Sequence, residues 1–388
     1  MIKKIGLTIL IGFIGVIVVL LNWQAFGSKV KGEDLARIST STNYDQNRKK
    51  FHNQHITRES TAKSNINFSV VKEWFSKGKD RKPTEKLPEV APDLTSFLKL
   101  DGELKTIWLG HSTFLLNISG VVVLVDPVFS ESASPVKGMV KRFQSPALSL
   151  EQLPHIDVIV ISHDHYDHLD MDSVKYFTDT TTQFVVPLGV GSHLKGWGIN
   201  NEKITEKDWW QSTTIKDVTF TAAPAYHFSG RGLSDGNNTL WASWVINSAE
   251  HNVYFSGDTG YAEHFKEIGE KFGPFDIAFI ESGQYNENWQ DVHMLPSEGV
   301  QAFKDLKANR YFPVHWGMFE LALHTWFDPV EQLRTFANQD GFELVTPKLG
   351  ELVHVLQDNN FRPWWRSDFE HVYAIEKKVS NELQIVAD

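Results

Sequence analysis

The sequence predicts a domain of mixed α and β structure with its chemistry at strand ends, and three observations carry that prediction. Short runs of β-branched and aliphatic residues recur from residue 106 to residue 314, bounded by turn-forming residues. One of them, residues 156–161, passes directly into Ser162-His163-Asp164-His165-Tyr166-Asp167-His168-Leu169-Asp170. Further histidines and aspartates stand just past other runs, and open α/β sheets place their ligands at such ends.

Taken in order, the chain opens on Lys3 and Lys4, then an apolar run over residues 5–21, with Trp23 where an interfacial aromatic would stand. The run is at the short end for a spanning helix and longer than the core of a usual signal peptide. Residues 1–28 are therefore expected to be an uncleaved signal anchor, a single-pass membrane helix with the catalytic part outside the cytoplasm. The alternative is cleavage at Ala25-Phe26-Gly27 and secretion. Residues 29–70 are polar and read as a tether. Residues 71–100, with apolar clusters among charges and prolines, read as an N-terminal extension of a main domain at 101–355, and residues 356–388 as a C-terminal extension.

Strands are expected at 106–109, 112–118 and 121–125, the last two joined by turn chemistry at Asn117-Ile118-Ser119-Gly120. Asp126-Pro127 closes the third; Asp126 either orients or touches a metal, or forms an ordinary Asp-Pro turn. His111 in the preceding turn either approaches the site or is a hydrogen-bonded loop histidine. In the central motif His163 and His165 are two apart in an extended segment and share a face, so they can reach one metal. Asp167 and His168 lie past the turn and point toward a second. Asp170 caps a helix starting near Met171. A strand at 183–186 and a loop or short helix at 191–198 follow, with His193 read as structural or exposed.

The strand at 218–222 ends in Pro224-Ala225-Tyr226-His227, and His227 would complete a three-histidine site. A hairpin of 239–247 and 252–256, with His251 solvated in its turn, leads into Gly257-Asp258-Thr259-Gly260. The flanking glycines allow a sharp turn, and the Asp258 carboxylate can bridge two cations. A buried strand at 276–280, a helix at 297–306 behind Pro296 and a strand at 311–314 deliver His315, which would complete the second site with Asp167 and His168. His293 and His324 stand on flanking loops and either line the cleft or are surface histidines. The pairs Trp209-Trp210 and Trp364-Trp365 either touch lipid or, as is commoner for aromatic pairs, belong to the core.

Composition narrows the function. The 388 residues, 41% hydrophobic and 12% aromatic, can bury a large core. A net charge of −10 without a dense Lys/Arg run argues against nucleic acid. The absence of cysteine removes disulfides, thiolate metal sites and thiol nucleophiles, and no Gly-x-Ser-x-Gly elbow is present. Imidazole and carboxylate ligands suit zinc, with iron or manganese compatible with the same residue types.

His163-x-His165-x-Asp167-His168, with His227, Asp258 and His315, resembles in order and spacing the metal ligands of the metallo-β-lactamase fold. Val125-Asp126-Pro127, residues 153–170, Leu240-Trp241-Ala242-Ser243-Trp244, residues 256–261 and 268–276, and His315-Trp316-Gly317 resemble the N-acylphosphatidylethanolamine-hydrolysing phospholipase D family. The likeness covers about residues 100–350. It implies an α+β fold of αββα sandwich type and two zinc ions. One would be held by His163, His165 and His227, the other by Asp167, His168 and His315, with Asp258 bridging and His293 positioning substrate. It further implies a phosphodiesterase acting on a phospholipid through a metal-bridging hydroxide. Alternatives are a lactone or other small-ester hydrolase with the same ligands, and a membrane-tethered binding protein without turnover. A second copy of the chain is carried as a partner. The chain departs from the lipase-like pattern in its N-terminal apolar run and after residue 280, where Glu281 and Gln284 replace apolar or neutral residues.

Overall fold

Alternate residues of the run after Asp157 go to different layers. In the computed structural model, which describes residues 23–54, 80–232 and 234–368, Val158 and Val160 join a core between two sheets. Ile159 and Ile161 point the other way, into a second core under helices. That is the two-residue period of a strand buried on both faces, and it explains why such runs are continuously apolar.

Helix α1 (Glu33–Ile38), the hairpin β1 (Tyr44–Asp45) and β2 (Lys50–Phe51), and α2 (Leu94–Phe97) precede the first sheet. Its strands are β3 (Lys105–Gly110), β4 (Thr113–Ile118), β5 (Val121–Val125), β6 (Val158–Val160), β7 (Gln183–Pro187) and β8 (Ile204–Lys207), with α3 (Met171–Tyr176) and α4 (Gly191–Gly196) in the crossovers. The second sheet holds β9 (Ser212–Ile215), β10 (Val218–Ala223), β11 (Ser243–Asn247) and β12 (Asn252–Phe255). Then α5 (His264–Lys271), β13 (Ile277–Glu281), α6 (Pro296–Asp305), β14 (Arg310–Val314), α7 (Asp328–Asp340) and β15 (Glu343–Leu344) complete it. Finally β16 (Leu352–His354) returns to the first sheet beside β3.

The two seven-stranded sheets run β16-β3-β4-β5-β6-β7-β8 and β15-β14-β13-β12-β11-β10-β9. Each is antiparallel on one side and parallel on the other: β5 to β8 are parallel in the first, β12 to β15 in the second. Between them Phe114 stacks on Phe279 at 4.0 Å and 6°. Outside the second sheet, Phe265 and Ile268 of α5, Val300 and Phe303 of α6 and Leu333 of α7 cover Val245, Tyr254, Ala278 and Ile280. Outside the first, Val174 of α3 and Leu194 of α4 cover Ile159 and Phe184. The layers are thus helix, sheet, sheet, helix.

Two expectations from composition need correcting. Residues 33–54 are not a tether along their length: Ile38, Tyr44 and Phe51 are buried in the inter-sheet core cluster. Their polar neighbours are paired with the domain, Asp34 with Lys195 and Ser192, and Asn43 Nδ2 with Asp208 Oδ1 at 2.7 Å. A few apolar anchors with satisfied polar contacts order a segment that mean composition assigns to solvent. His251 is also not solvated; it is buried and its Nε2 reaches Gly102 O at 2.8 Å. The anticipated membrane run, residues 55–79 and residues 369–388 lie outside the described residues. Among the described residues no helix is long and apolar enough to cross a membrane. Trp209, Trp364 and Trp365 are core residues, with Trp364 stacked on Trp316 at 5.6 Å.

Candidate metal centre

Parallel strands carry their C-terminal ends to one edge of both sheets, and the polar motifs follow those ends. β5 delivers Asp126, β6 delivers Ser162-His163, β12 delivers Gly257-Asp258, and β14 delivers His315; Glu281 is the last residue of β13. The antiparallel β3 and β10 finish at the same edge, bringing in His111 and His227. The delivery is tight enough to force unusual backbone. Asp126, His111 and His315 have φ of 38°, 53° and 66°, a left-handed region that side chains disfavour and functional sites often contain. Gly257, φ 57°, has no such penalty, and a Cβ there would lie 2.7 Å from Ser162 Cβ. The glycine lets the Asp258 loop rest on the histidine loop.

The side chains converge in two sets. In the first, His165 Nδ1 lies 2.8 Å from His163 Nε2 and 3.3 Å from His227 Nε2. In the second, Asp167 Oδ2 lies 3.0 Å from His111 Nε2, 3.2 Å from His315 Nε2 and 3.5 Å from His168 Nε2. Asp258 stands between them. Its Oδ2 is 3.1 Å and 3.2 Å from Nε2 of His168 and His315, and 3.7 Å from Nε2 of both His163 and His227.

An outer ring of acceptors turns the imidazoles inward. Asp126 Oδ2 accepts from His168 Nδ1 at 2.7 Å and from the Ser162 hydroxyl, while Oδ1 accepts from the Ser162 backbone N–H. Val292 O takes His227 Nδ1 at 3.0 Å, and Ser162 Oγ meets His163 Nδ1 at 2.9 Å. Using Nδ1 outward leaves Nε2 of these three rings for the centre, the usual division of labour at metal-binding histidines. Glu281, fully buried, accepts from His293 Nδ1 at 2.8 Å and from the Met294 N–H at 2.6 Å, and lies 3.5 Å from His315 Nδ1.

The donor set fits divalent cations. His168 Nε2 and Asp258 Oδ1 are buried without a hydrogen bond. The 3.1 Å approach of Asp258 Oδ2 to His168 Nε2 is proximity without hydrogen-bond geometry, as expected of ligands aimed at a shared point. Three overlapping groups bring ligand atoms within 4.8 Å of one another: His111, Asp167, His168 and His315; His163, His165, His227 and Asp258; Asp258, Glu281, His293 and His315. Nitrogen and carboxylate oxygen without thiolate suits zinc, iron or manganese.

The electrostatics agree. Burial lowers the pKa values of His163 and His227 well below the ordinary range, leaving both neutral as ligands must be. Burial also opposes charge on His315, but Asp258, Asp167 and Glu281 outweigh it and push the ring up to about 10. His168 is raised well above its usual value: burial opposes this too, but Asp258, Asp167 and Asp126 prevail. Without metal, protons therefore substitute for cations at His168 and His315. Loading the metal-free protein with zinc at pH 7.5 should release about two protons per chain from these rings, beyond any lost by metal-bound water, measured by indicator dye in weak buffer. Apparent affinity should weaken as pH falls, since protons then compete harder. Release of no protons would overturn the protonated state of these rings in the metal-free protein.

The structure thus gathers His163, His165, Asp167, His168, His227, Asp258 and His315 at one edge, with His111, Asp126, Glu281 and His293 against them. His324 is outside the three ligand groups, its Nδ1 on Thr325 O and its ring stacked on Tyr285 at 4.4 Å, although it feels the charge of His315 and His293. His193 is buried and supports Asp164, with Nε2 3.3 Å from Asp164 Oδ2. Sequence reasoning missed Asp164 as an anchor, which also takes Gly230 N at 2.7 Å and Thr239 Oγ1 at 2.8 Å. It missed Arg231 too, whose buried guanidinium donates to Asp164 O and Leu169 O, both at 2.7 Å. Nothing in the local pattern marks that arginine; only the fold brings it to the histidine loop.

Residues 122–316 match the Beta-lactamase superfamily domain. The chain belongs to the β-lactamase superfamily. Within it, an uncharacterized protein of Mycobacterium tuberculosis is 42% identical over 303 residues, covering 76% of this chain and 80% of that protein. The N-acyl-phosphatidylethanolamine-hydrolyzing phospholipase D 1 of Caenorhabditis elegans is 38% identical over 263 residues, covering 63% of this chain and 74% of that enzyme. Among solved structures, the isothiocyanate hydrolase from Delia radicum gut bacteria superposes with a TM-score of 0.52 at 19% identity, over 64% of this chain and 98% of that one. That last likeness speaks for the fold alone, a metallo-β-lactamase fold of two mixed sheets with flanking helices. Superfamily membership and the ligand set together make this chain a metal-dependent hydrolase.

Proposed function

We propose that the chain is a binuclear zinc phosphodiesterase of phospholipase D type, acting on N-acylphosphatidylethanolamine-like lipids at a membrane to which residues 1–28 anchor it. The catalytic domain would then lie outside the cytoplasm. The observation that carries the metal count is Asp258, one oxygen of which stands 3.1 to 3.7 Å from imidazoles of both sets. The lipid class follows from the 38% identity with the nematode phospholipase.

His163, His165 and His227 would hold one cation and Asp167, His168 and His315 the other, with Asp258 shared. When bound, such a pair supplies Lewis acidity and ionises water near neutral pH. The residues do the rest. Asp258 orients the attacking oxygen. His293, its Nδ1 committed to Glu281 and its ring 5.1 Å from that of His315, offers Nε2 to a phosphate oxygen. Water adds to phosphorus, the bond to the N-acylethanolamine oxygen breaks, and that oxygen leaves with a proton. The products are phosphatidic acid and an N-acylethanolamine.

The test is the full chain in detergent–lipid mixed micelles with zinc, followed by mass spectrometry, with a chelated sample as control. Both products should appear together and vanish with chelation. Zinc-loaded protein that leaves the lipid intact but opens a lactone would overturn the phosphodiesterase reading and retain the hydrolase.

A further inference from the structure

The apolar run ends at residue 21, and Trp23 is already a described, 43% exposed residue of the domain. The residues after it do not hang free. Trp197 Nε1 donates to Gln24 O at 2.8 Å, and Lys175 Nζ reaches Gln24 Oε1 at 3.2 Å. The Arg231 Nε–H donates to Ala25 O at 3.0 Å, and the Ser28 N–H to His193 Nδ1 at 2.9 Å. The fit is close. A Cβ on Gly27 would sit 2.1 Å from His193 Nδ1, and one on Gly196 1.9 Å from Ser28 Oγ.

Three of these partners lie on or at the end of the crossover helices α3 and α4, and the fourth, Arg231, adjoins the loop that carries His227. The guanidinium that holds Ala25 also holds Asp164 O and Leu169 O, at the two ends of the ligand-bearing stretch. Three residues before Arg231 stands Phe228, 41% exposed, its ring 4.6 Å from His165 and 4.7 Å from His227. One buried arginine therefore ties Ala25, four residues past the apolar run, to the loop that carries Phe228 at the rim of the site. Two residues of chain reach at most ~7 Å.

We propose that residues 23–28 are a rigid strap that seats the Phe228 rim of the metal centre on a lipid bilayer, so that the site opens toward the membrane surface. This rests on the anchor reading of residues 1–28 and adds an orientation to it. Trp23 and Phe228 are both exposed aromatics, at 43% and 41%, and a tryptophan suits the headgroup boundary. Lys29 and Lys31, both exposed, add affinity for anionic headgroups. A lipid substrate would then reach the cations from the plane in which it already lies. Leu100, 82% exposed, lies on the far end of the sandwich, close to the β4–β5 turn at Gly120.

The chain has no cysteine, so single labels can be placed cleanly. Full-length Phe228→Cys, Lys29→Cys and Leu100→Cys, each carrying an environment-sensitive fluorophore, would be reconstituted into phosphatidylcholine–phosphatidylglycerol vesicles containing a doxyl-lipid quencher. Labels at 228 and 29 should be quenched several-fold more strongly than the label at 100. A flexible linker of about twenty residues inserted between Asn22 and Trp23 should weaken quenching at 228 while flotation with vesicles persists. Protein that floats but shows equal quenching at all three positions overturns the orientation and leaves the anchor standing. Protein that does not float overturns the anchor and the strap together. Neither readout depends on turnover, so the hydrolase reading is judged separately.

Discussion

Asp258→Ala should reduce turnover to about one-thousandth of the wild-type rate, because several kcal/mol of charge stabilisation at the reacting oxygen depends on both cations being held. The argument starts from one atom. Among the described residues, Asp258 Oδ2 is the only ligand oxygen within 3.7 Å of Nε2 of both His163 and His168, members of different sets. Removing it leaves the three-histidine set a binding site but deprives the other of its shared oxygen. Zinc content should drop from about two per chain toward one. The fold should survive, since the strands that deliver the site are held by three separate cores. Asp258→Asn separates charge from shape: it keeps the volume and loses the anion. The carboxylate is held well below its usual pKa: burial opposes the charge, but His168 and His315 outweigh it, so the anion is what the site uses. Metal analysis and turnover on the same samples check both consequences. Full zinc content with full activity in Asp258→Ala would remove the shared-ligand reading.

Much of this site was legible because its signals are periodic and local. The β-branched apolar run at 156–161 reads as a buried strand, and the ligands that follow inherit their direction from it. Helix α3 begins where Asp170 accepts the Asp172 N–H, as capping chemistry requires. Helix α7 was legible in principle, with Pro329 in its first turn, Val330, Leu333 and Ala337 on one face and Gly341 left-handed at its end. What stayed hidden depends on tertiary placement. His111 and Asp126 each had two readings of equal local merit; contact with Asp167 and with His168 separates them. Glu281 stood out as a charge at the end of an apolar strand, but its role appears only when His293 and Met294 fold back over it. Residues 33–54 failed the composition test because Tyr44 and Phe51 do more for the segment than its average suggests.

The other large effect lies one layer out, at Asp126. Asp126→Ala should cost about 3–5 kcal/mol of stability, the range for breaking a buried charged pair, and about 10- to 100-fold in metal affinity. The carboxylate is fully buried and accepts from His168 Nδ1, the Ser162 hydroxyl and the Ser162 N–H. Alanine strands all three donors at once, and buried donors left unpaired are costly. Asp126→Asn distinguishes the two consequences. Its carbonyl can still accept from Ser162, so most of the stability should return. Its amide cannot accept from His168 Nδ1 where it faces that ring, so His168 loses the partner that aims Nε2 at the centre. Thermal melting of the metal-free proteins measures the first effect. Competition for zinc against a chromophoric chelator measures the second. An asparagine variant with restored stability and weak zinc binding would assign Asp126 to orienting His168. Wild-type zinc affinity in Asp126→Asn would instead reduce Asp126 to a brace for the Ser162 turn, leaving His168 to be aimed by its backbone alone.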